Sequence, residues 1–182
     1  AILLVGANPR FDQPILGHRI RKASKRGAQI HAINPVASDA HYALKHEWVV
    51  GTWDMLAQLG ALLRAAGELT QLSVDSALLT RLGAAAPDAA HQAAVKALQT
   101  QGSSRILLGD FAVQHPAAGL LREAARALAS MLGAHYDELP DGSNGIGLSA
   151  VGALTPGGFT GQQLKALLLQ NVEPSDAVDS ES

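Results

Sequence analysis

The sequence predicts an α/β domain with a mainly parallel sheet and helices on both faces. Three observations carry this prediction. The run "ILLV" at 2 to 5 is continuously apolar and ends at Gly6, as a strand covered on both sides does. Strand-like and helix-like segments then alternate along the chain. Finally, "RILLGDFAVQHPAAGLLREAARALASMLGAHYDELP" repeats the order of "ILLVGANPRFDQPILGHRIRKASKRGAQIHAINP": strand, glycine, polar loop, proline, helix, Gly-Ala, strand, proline. Two βαβ halves are expected, in an order that any two such units share.

After the first strand, Asp12 is a candidate helix cap, with Pro14 in the first turn. Ile15, Leu16, Ile20 and Ala23 form the apolar stripe of that helix, and Gly27 supplies its stop. The stretch "AQIHAINP" then reads as a second strand ending at Pro35, and "HEWVVG" as a third. A helix is expected over residues 54–66. Short helices around Gly83 and Pro87 should follow, then a helix from about Asp88 to Gln101, and "GSS" at 102–104 is a turn into the next strand. In the second copy Gly109 and Pro116 answer to Gly6 and Pro14, while Gly133 and Ala134 answer to Gly27 and Ala28.

The six glycines between 142 and 158 mark backbone that passes close to something, with a short helix expected over 161–170. The organisation is thus one α/β domain over 1–171, with possible halves 1–67 and 103–158 joined by a helical connection at 68–102. The acidic stretch 172–182 is expected to be disordered. The chain begins inside a strand pattern without Met, which reads as a piece of a longer polypeptide.

Composition limits the function. At 182 residues the chain can bury about 70% of its unfolded surface. Hydrophobic residues make up 47% and charged ones 16%, as in a globular protein. A net charge of -2 and 4% aromatic residues argue against a nucleic-acid platform. Without cysteine there is no disulfide, thiolate nucleophile, iron-sulfur ligand or Cys-held zinc in this stretch. No apolar run reaches the roughly 18 residues of a membrane span. A soluble, intracellular protein is the expectation.

The loop "GANPR" stands where α/β domains place ligands, yet it lacks both G-x-G-x-x-G and G-x-x-x-x-G-K-[ST]. Asn8 and Pro9 either shape the turn or, with exposed backbone groups, present hydrogen bonds to a base or pterin edge. Six of the 14 basic residues fall between Arg10 and Arg26, as a solvated helix face or as a docking surface for an acidic partner. The seven histidines form no metal-binding spacing. His115 precedes Pro116 and suits a helix start, while Trp48 and Trp53 suit packing. No nucleophile triad stands out, so no catalytic residue is assigned.

The stretch "VGANPRFDQPILGHRIRKASKRGAQIHAINP" resembles the cofactor-binding core of the molybdopterin oxidoreductases. There a G-x-N-P loop precedes a basic helix, a Gly-Ala step and a strand ending in D-P-R. "LLGDFAVQHPAAGLLREAARALASMLGAHYDELPDGSNGIG" is similar to the family of large iron-sulfur subunits of bacterial NADH:quinone oxidoreductase, respiratory complex I, whose C-terminal half is a relic of such an enzyme. The resemblance covers about residues 2 to 155. It implies that Gly6, Asn8 and Pro9 match the loop that contacts a pterin guanine dinucleotide. Asn34, Pro35 and Val36 stand where active members carry D-P-R. An acceptor-only carboxylate has become an amide and a guanidinium an isopropyl group. Each lost charged contact typically costs a few kcal/mol, or about two decades in affinity.

The site Gly6, Asn8, Pro9 and Asn34 is therefore expected to be vestigial and unoccupied. No cofactor is expected in this stretch, with iron-sulfur clusters elsewhere in the full-length subunit. By the same resemblance, the partners would be other subunits of the respiratory complex, on the cytoplasmic side of the inner membrane, without nucleic acid or membrane insertion. The alternative is a functional molybdopterin guanine dinucleotide-binding domain of a formate-dehydrogenase-like oxidoreductase. A free-standing nucleotide-binding or transferase domain with an unusual loop is a third reading.

Overall fold

A computed structural model describes residues 1–100, 102–139, 147 and 150–152. The chain divides into two compact units, Ala1–Asp141 and Gly142–Ser182. The first is an α/β domain around a five-stranded, all-parallel sheet. Most of the glycine-rich stretch, the helix expected over 161–170, the boundary at 171 and the tail 172–182 lie outside the described residues.

Strand β1 (Ile2–Val5) leads into helix α1 (Pro14–Lys25) and strand β2 (Ile30–Asn34). Strand β3 (His46–Val49) and helices α2 (Asp54–Thr70), α3 (Ser76–Leu82) and α4 (Ala89–Thr100) follow. Strand β4 (Arg105–Leu108), the single turn α5 (Asp110–Val113), helix α6 (Ala118–Leu132) and strand β5 (His135–Glu138) complete the unit. The sheet order is β3-β2-β1-β4-β5. The two expected βαβ halves are present, and they run outward in opposite directions from the central β1–β4 pair. With right-handed crossovers, their helices must fall on opposite faces.

The core follows that rule. Leu3, Val5, Ile33, Ile106 and Leu108 point to the face covered by α2, α3, α4 and α6. Leu4, Ile30, Ala32 and Leu107 point to the other face, with Ile20 of α1 packed among them. This alternation is the period-2 geometry of strands whose two sides are both apolar. Arg64 of α2 ties down the turns after it by donating to the carbonyl oxygens of Leu79, Gly83 and Ala85.

Several local expectations need correction. Asp12 does not cap α1: Gln13 occupies that position, because the Asn8 and Pro9 carbonyls draw the amides of residues 11 to 13 into a helical turn before Pro14. Ile15 is 76% exposed rather than part of the buried stripe, since α1 meets the sheet through Gly17 and Ile20. The Cβ of any larger residue at 17 would stand 2.9 Å from the Pro9 carbonyl oxygen. Helix α2 runs to Thr70, one turn beyond 66. The second polar loop contains α5. Gly27 and Gly133 both end helices at positive φ, as the repeat predicts, but Gly6 (φ 59) and Gly109 (φ -104) differ.

Candidate functional site

The strand order reverses between β1 and β4, and the crevice beyond their carboxyl ends is where open α/β sheets bind ligands. The β1 loop is built from four anchors. The Gly6 amide donates to the Ile33 carbonyl at 2.8 Å, and the Gly6 carbonyl accepts from Phe111 at 3.0 Å. Gly109 donates to Val5 at 2.9 Å. The side chain of Asn34, 3% exposed, accepts from the Ala7 amide at 2.9 Å and donates back to the Ala7 carbonyl at 3.3 Å.

These anchors hold two of the four candidate residues, Gly6 and Asn34, at the ends of neighbouring strands, and they also show what each is used for. Gly6 adopts φ 59, and a Cβ there would stand 2.5 Å from the Ala112 amide nitrogen of α5. A Cβ on Gly109 would meet the Ala7 Cα at 2.4 Å. The space that paired glycines open in the crevice is thus filled by the protein's own backbone. Asn34 spends its amide on the loop. Pro9 is buried, and its carbonyl accepts from Gln13 at 3.2 Å. Asn8 is half-buried, its carbonyl accepting from Phe11 and Asp12.

At the far end of the loop, Arg10 reaches Asp39 between β2 and β3, donating to its backbone carbonyl at 2.8 Å and its carboxylate at 2.6 Å. The hydrogen bond from Arg10 holds the Asp39 carboxyl below the usual carboxylate range despite some desolvation. Val36, where the family pattern carries an arginine, is exposed.

Around the crevice stand groups that the sequence did not place there. The ring of His115, 6% exposed, meets that of Trp53 edge-on at 4.7 Å. His115 Nδ1 accepts from the Ala117 amide at 2.9 Å, which bears out its expected part in starting a helix. That acceptor role puts the ring proton on Nε2, which has no partner among the described residues. Phe11, Trp53 and Phe111 are exposed. The proximity of Trp53 to His115, 62 positions apart, had no local signal. Trp48 does pack, as expected, stacking on His91 at 4.7 Å.

Among the described residues, no group of three or more His, Asp or Glu is arranged to hold a metal ion. No described helix is long and apolar enough to cross a membrane.

A parallel sheet with its strand reversal at β1–β4 and a glycine-bearing loop at that point define an α/β domain of the doubly wound class. The family model for molybdopterin oxidoreductase matches residues 1–147. The chain belongs to the molybdopterin oxidoreductase family. No curated protein matches it.

Proposed function

We propose that this chain is a scaffold domain of the large iron-sulfur subunit of bacterial NADH:quinone oxidoreductase, a molybdopterin-enzyme fold kept without a redox centre of its own. One observation carries the reading. The side chain at the end of β2, which would face a guanine edge as a carboxylate, is instead an amide closed onto Ala7. Two further features support it: Val36 offers no charge to a phosphate, and Ala7 and Ala112 fill the space beside Gly109 and Gly6. The described residues fit a pterin guanine dinucleotide poorly, so no chemical step is assigned to it. On this reading the clusters that carry electrons lie elsewhere in the subunit, and the domain contributes packing surface to the other subunits at the cytoplasmic side of the membrane.

The retained Gly6-Ala7-Asn8-Pro9 loop supports the alternative, a functional molybdopterin guanine dinucleotide-binding domain of a formate-dehydrogenase-like oxidoreductase. Metal analysis and oxidative pterin extraction on the full-length protein separate the two. The scaffold reading expects iron with neither molybdenum nor tungsten. Stoichiometric molybdenum with a released pterin overturns it. A full-length sequence without clustered cysteines would overturn assignment to the respiratory complex.

A further inference from the structure

A buried polar group normally has a hydrogen-bond partner, so a buried imidazole without one stands out. His31 lies on β2, 0% exposed, and neither its Nδ1 nor its Nε2 has a partner among the described residues. Its ring stacks on that of His46 across the β2–β3 ladder at 5.4 Å, and the Nε2 of His46 is likewise buried and unpartnered there. The row of rings continues along β3, where Trp48 lies 6.0 Å from His46 and stacks on His91 of α4.

The two ends of this row treat a proton in opposite ways. At the α4 end both ring nitrogens of His91 face acceptors, Asp88 Oδ1 at 2.7 Å and Gln58 Oε1 of α2 at 2.9 Å, so a positive charge meets a carboxylate. At the β2 end the charged groups that act on His31 are His46, the amino group of Ala1 and Lys45, all positive. From β1 its register partner is Leu3, without charge. Glu47, next to His46, points to the other face of β3, where Ser38 donates to it from its amide at 3.1 Å and its hydroxyl at 3.3 Å. A proton on His31 therefore finds neither water nor a counter-ion.

The sheet order decides which element yields. Strand β2 is hydrogen-bonded on both sides and places Ile30 and Ile33 in the apolar layers on its two faces. Strand β3 is four residues long, stands at the end of the sheet, pairs only with β2 and has no buried residue. Elements with few buried contacts open at the low end of the free-energy range.

We propose that β3 is a proton-operated latch: acid charges His31, and β3 with the connection 35–45 before it comes away from β2 while the rest of the sheet stays folded. That connection holds Asp39, the ion-pair partner of Arg10, so the release also unties the loop after β1 at its outer end. Burial first, then His46, hold the His31 pKa at about 4 in the closed form, and access to water returns it to about 6.5. The closed form is thus fully favoured above about pH 6.5 and loses that advantage as the pH falls towards 4. At pH 5.0 the ratio of open to closed β3 should be about thirtyfold its value at pH 7.5. The latch depends on the row of rings and the strand order, so it stands whether or not the crevice at Asn34 holds a ligand.

Peptide-resolved hydrogen–deuterium exchange on the full-length protein, corrected for the intrinsic exchange rate at each pH, tests the latch. Between pH 7.5 and 5.0 protection over residues 46–50 should fall at least about tenfold, while protection over β1 and β4 stays within about twofold. In His31→Leu, or in His31→Gln where the leucine variant does not fold, protection of β3 should be equal at the two pH values. A β3 unchanged at pH 5.0, or already without protection at pH 7.5, overturns the proposal. So does an equal loss in β1 and β4, which is global unfolding, or a pH dependence that persists once His31 is replaced.

Discussion

Asn34 grips Ala7 from both sides: its Oδ1 accepts from the Ala7 amide at 2.9 Å while its Nδ2 donates to the Ala7 carbonyl at 3.3 Å. The contact joins the ends of β1 and β2 and leaves neither backbone group of Ala7 without a partner, although Ala7 is buried. Only an amide can do both, because it alone among small side chains carries an acceptor and a donor side by side. Asn34→Asp removes the donor and sets a carboxylate against the Ala7 carbonyl. It is expected to cost about 1–3 kcal/mol in urea unfolding at neutral pH, and Asn34→Leu a similar amount. An Asn34→Asp protein as stable as the parent would mean that the clamp has no energetic role.

Gly109 tests how tightly the crevice is closed. A Cβ at this position would lie 2.4 Å from the Ala7 Cα and 2.6 Å from the Gly6 carbonyl oxygen, both backbone atoms with nowhere to go. Gly109→Ala should therefore lower stability by about 3 kcal/mol, in the upper range for overpacking. Gly27→Ala is the control, since open space surrounds it and its cost is limited to the positive φ, about 1 kcal/mol. Thermal unfolding of the two variants side by side should separate them by several degrees.

His31 predicts an acid limit to stability. It is fully buried on β2, stacked on His46 of β3 at 5.4 Å, and both its ring nitrogens lack partners among the described residues. Burial first, then the neighbouring positive charge of His46, the chain's amino group and Lys45, pull its pKa down from 6.5 to about 4. A group with a lowered basic pKa is neutral in the folded state and binds its proton first in the unfolded one. Stability is therefore flat above about pH 6.5 and falls between 6.5 and 4, by up to about 3 kcal/mol. His31→Leu should flatten that limb without loss at pH 7.5, because no hydrogen bond is given up. A pH profile of urea midpoints unchanged by the substitution would refute the assignment.

The crevice itself should be indifferent to nucleotides. A ligand that binds only the folded state raises the melting temperature by mass action. Millimolar GMP or GDP is expected to leave the melting temperature within about 1 °C, as mass action dictates for a ligand far below its Kd. A rise of several degrees would show that the crevice is open and would count against the scaffold reading.

The strands were legible because a buried strand must be apolar at successive positions and must stop where the backbone turns. Ile2–Val5 and Gly6 carry both signals, and Gly27 and Gly133 mark the helix ends by the same logic. The start of α1 is not legible in the sequence, because Asp12 is a good capping residue by type. The carbonyls of Asn8 and Pro9 reached the amides first, an event decided by the loop's path. The exposure of Ile15 is hidden in the sequence for a similar reason: periodicity gives a helix an apolar side but not the width of the contact it makes. The pairing of Gly109 with Gly6 was visible as a repeat, whereas the approach of Ala7 and Ala112 to those glycines was not.

By itself the sequence determined the alternation of strands and helices, the βαβ repeat, the loop after β1 and the identity of the residue that closes β2. Those are properties of neighbours in the chain, governed by local sterics and by the period of apolar side chains. Only the tertiary structure decided that Asn34 serves Ala7, that Trp53 meets His115, and that His31 lies against His46. Each depends on the β3-β2-β1-β4-β5 order, which sets distant segments side by side through backbone hydrogen bonds between strands. Such bonds involve the same atoms in every residue, so the side chains alone do not encode which strands they join.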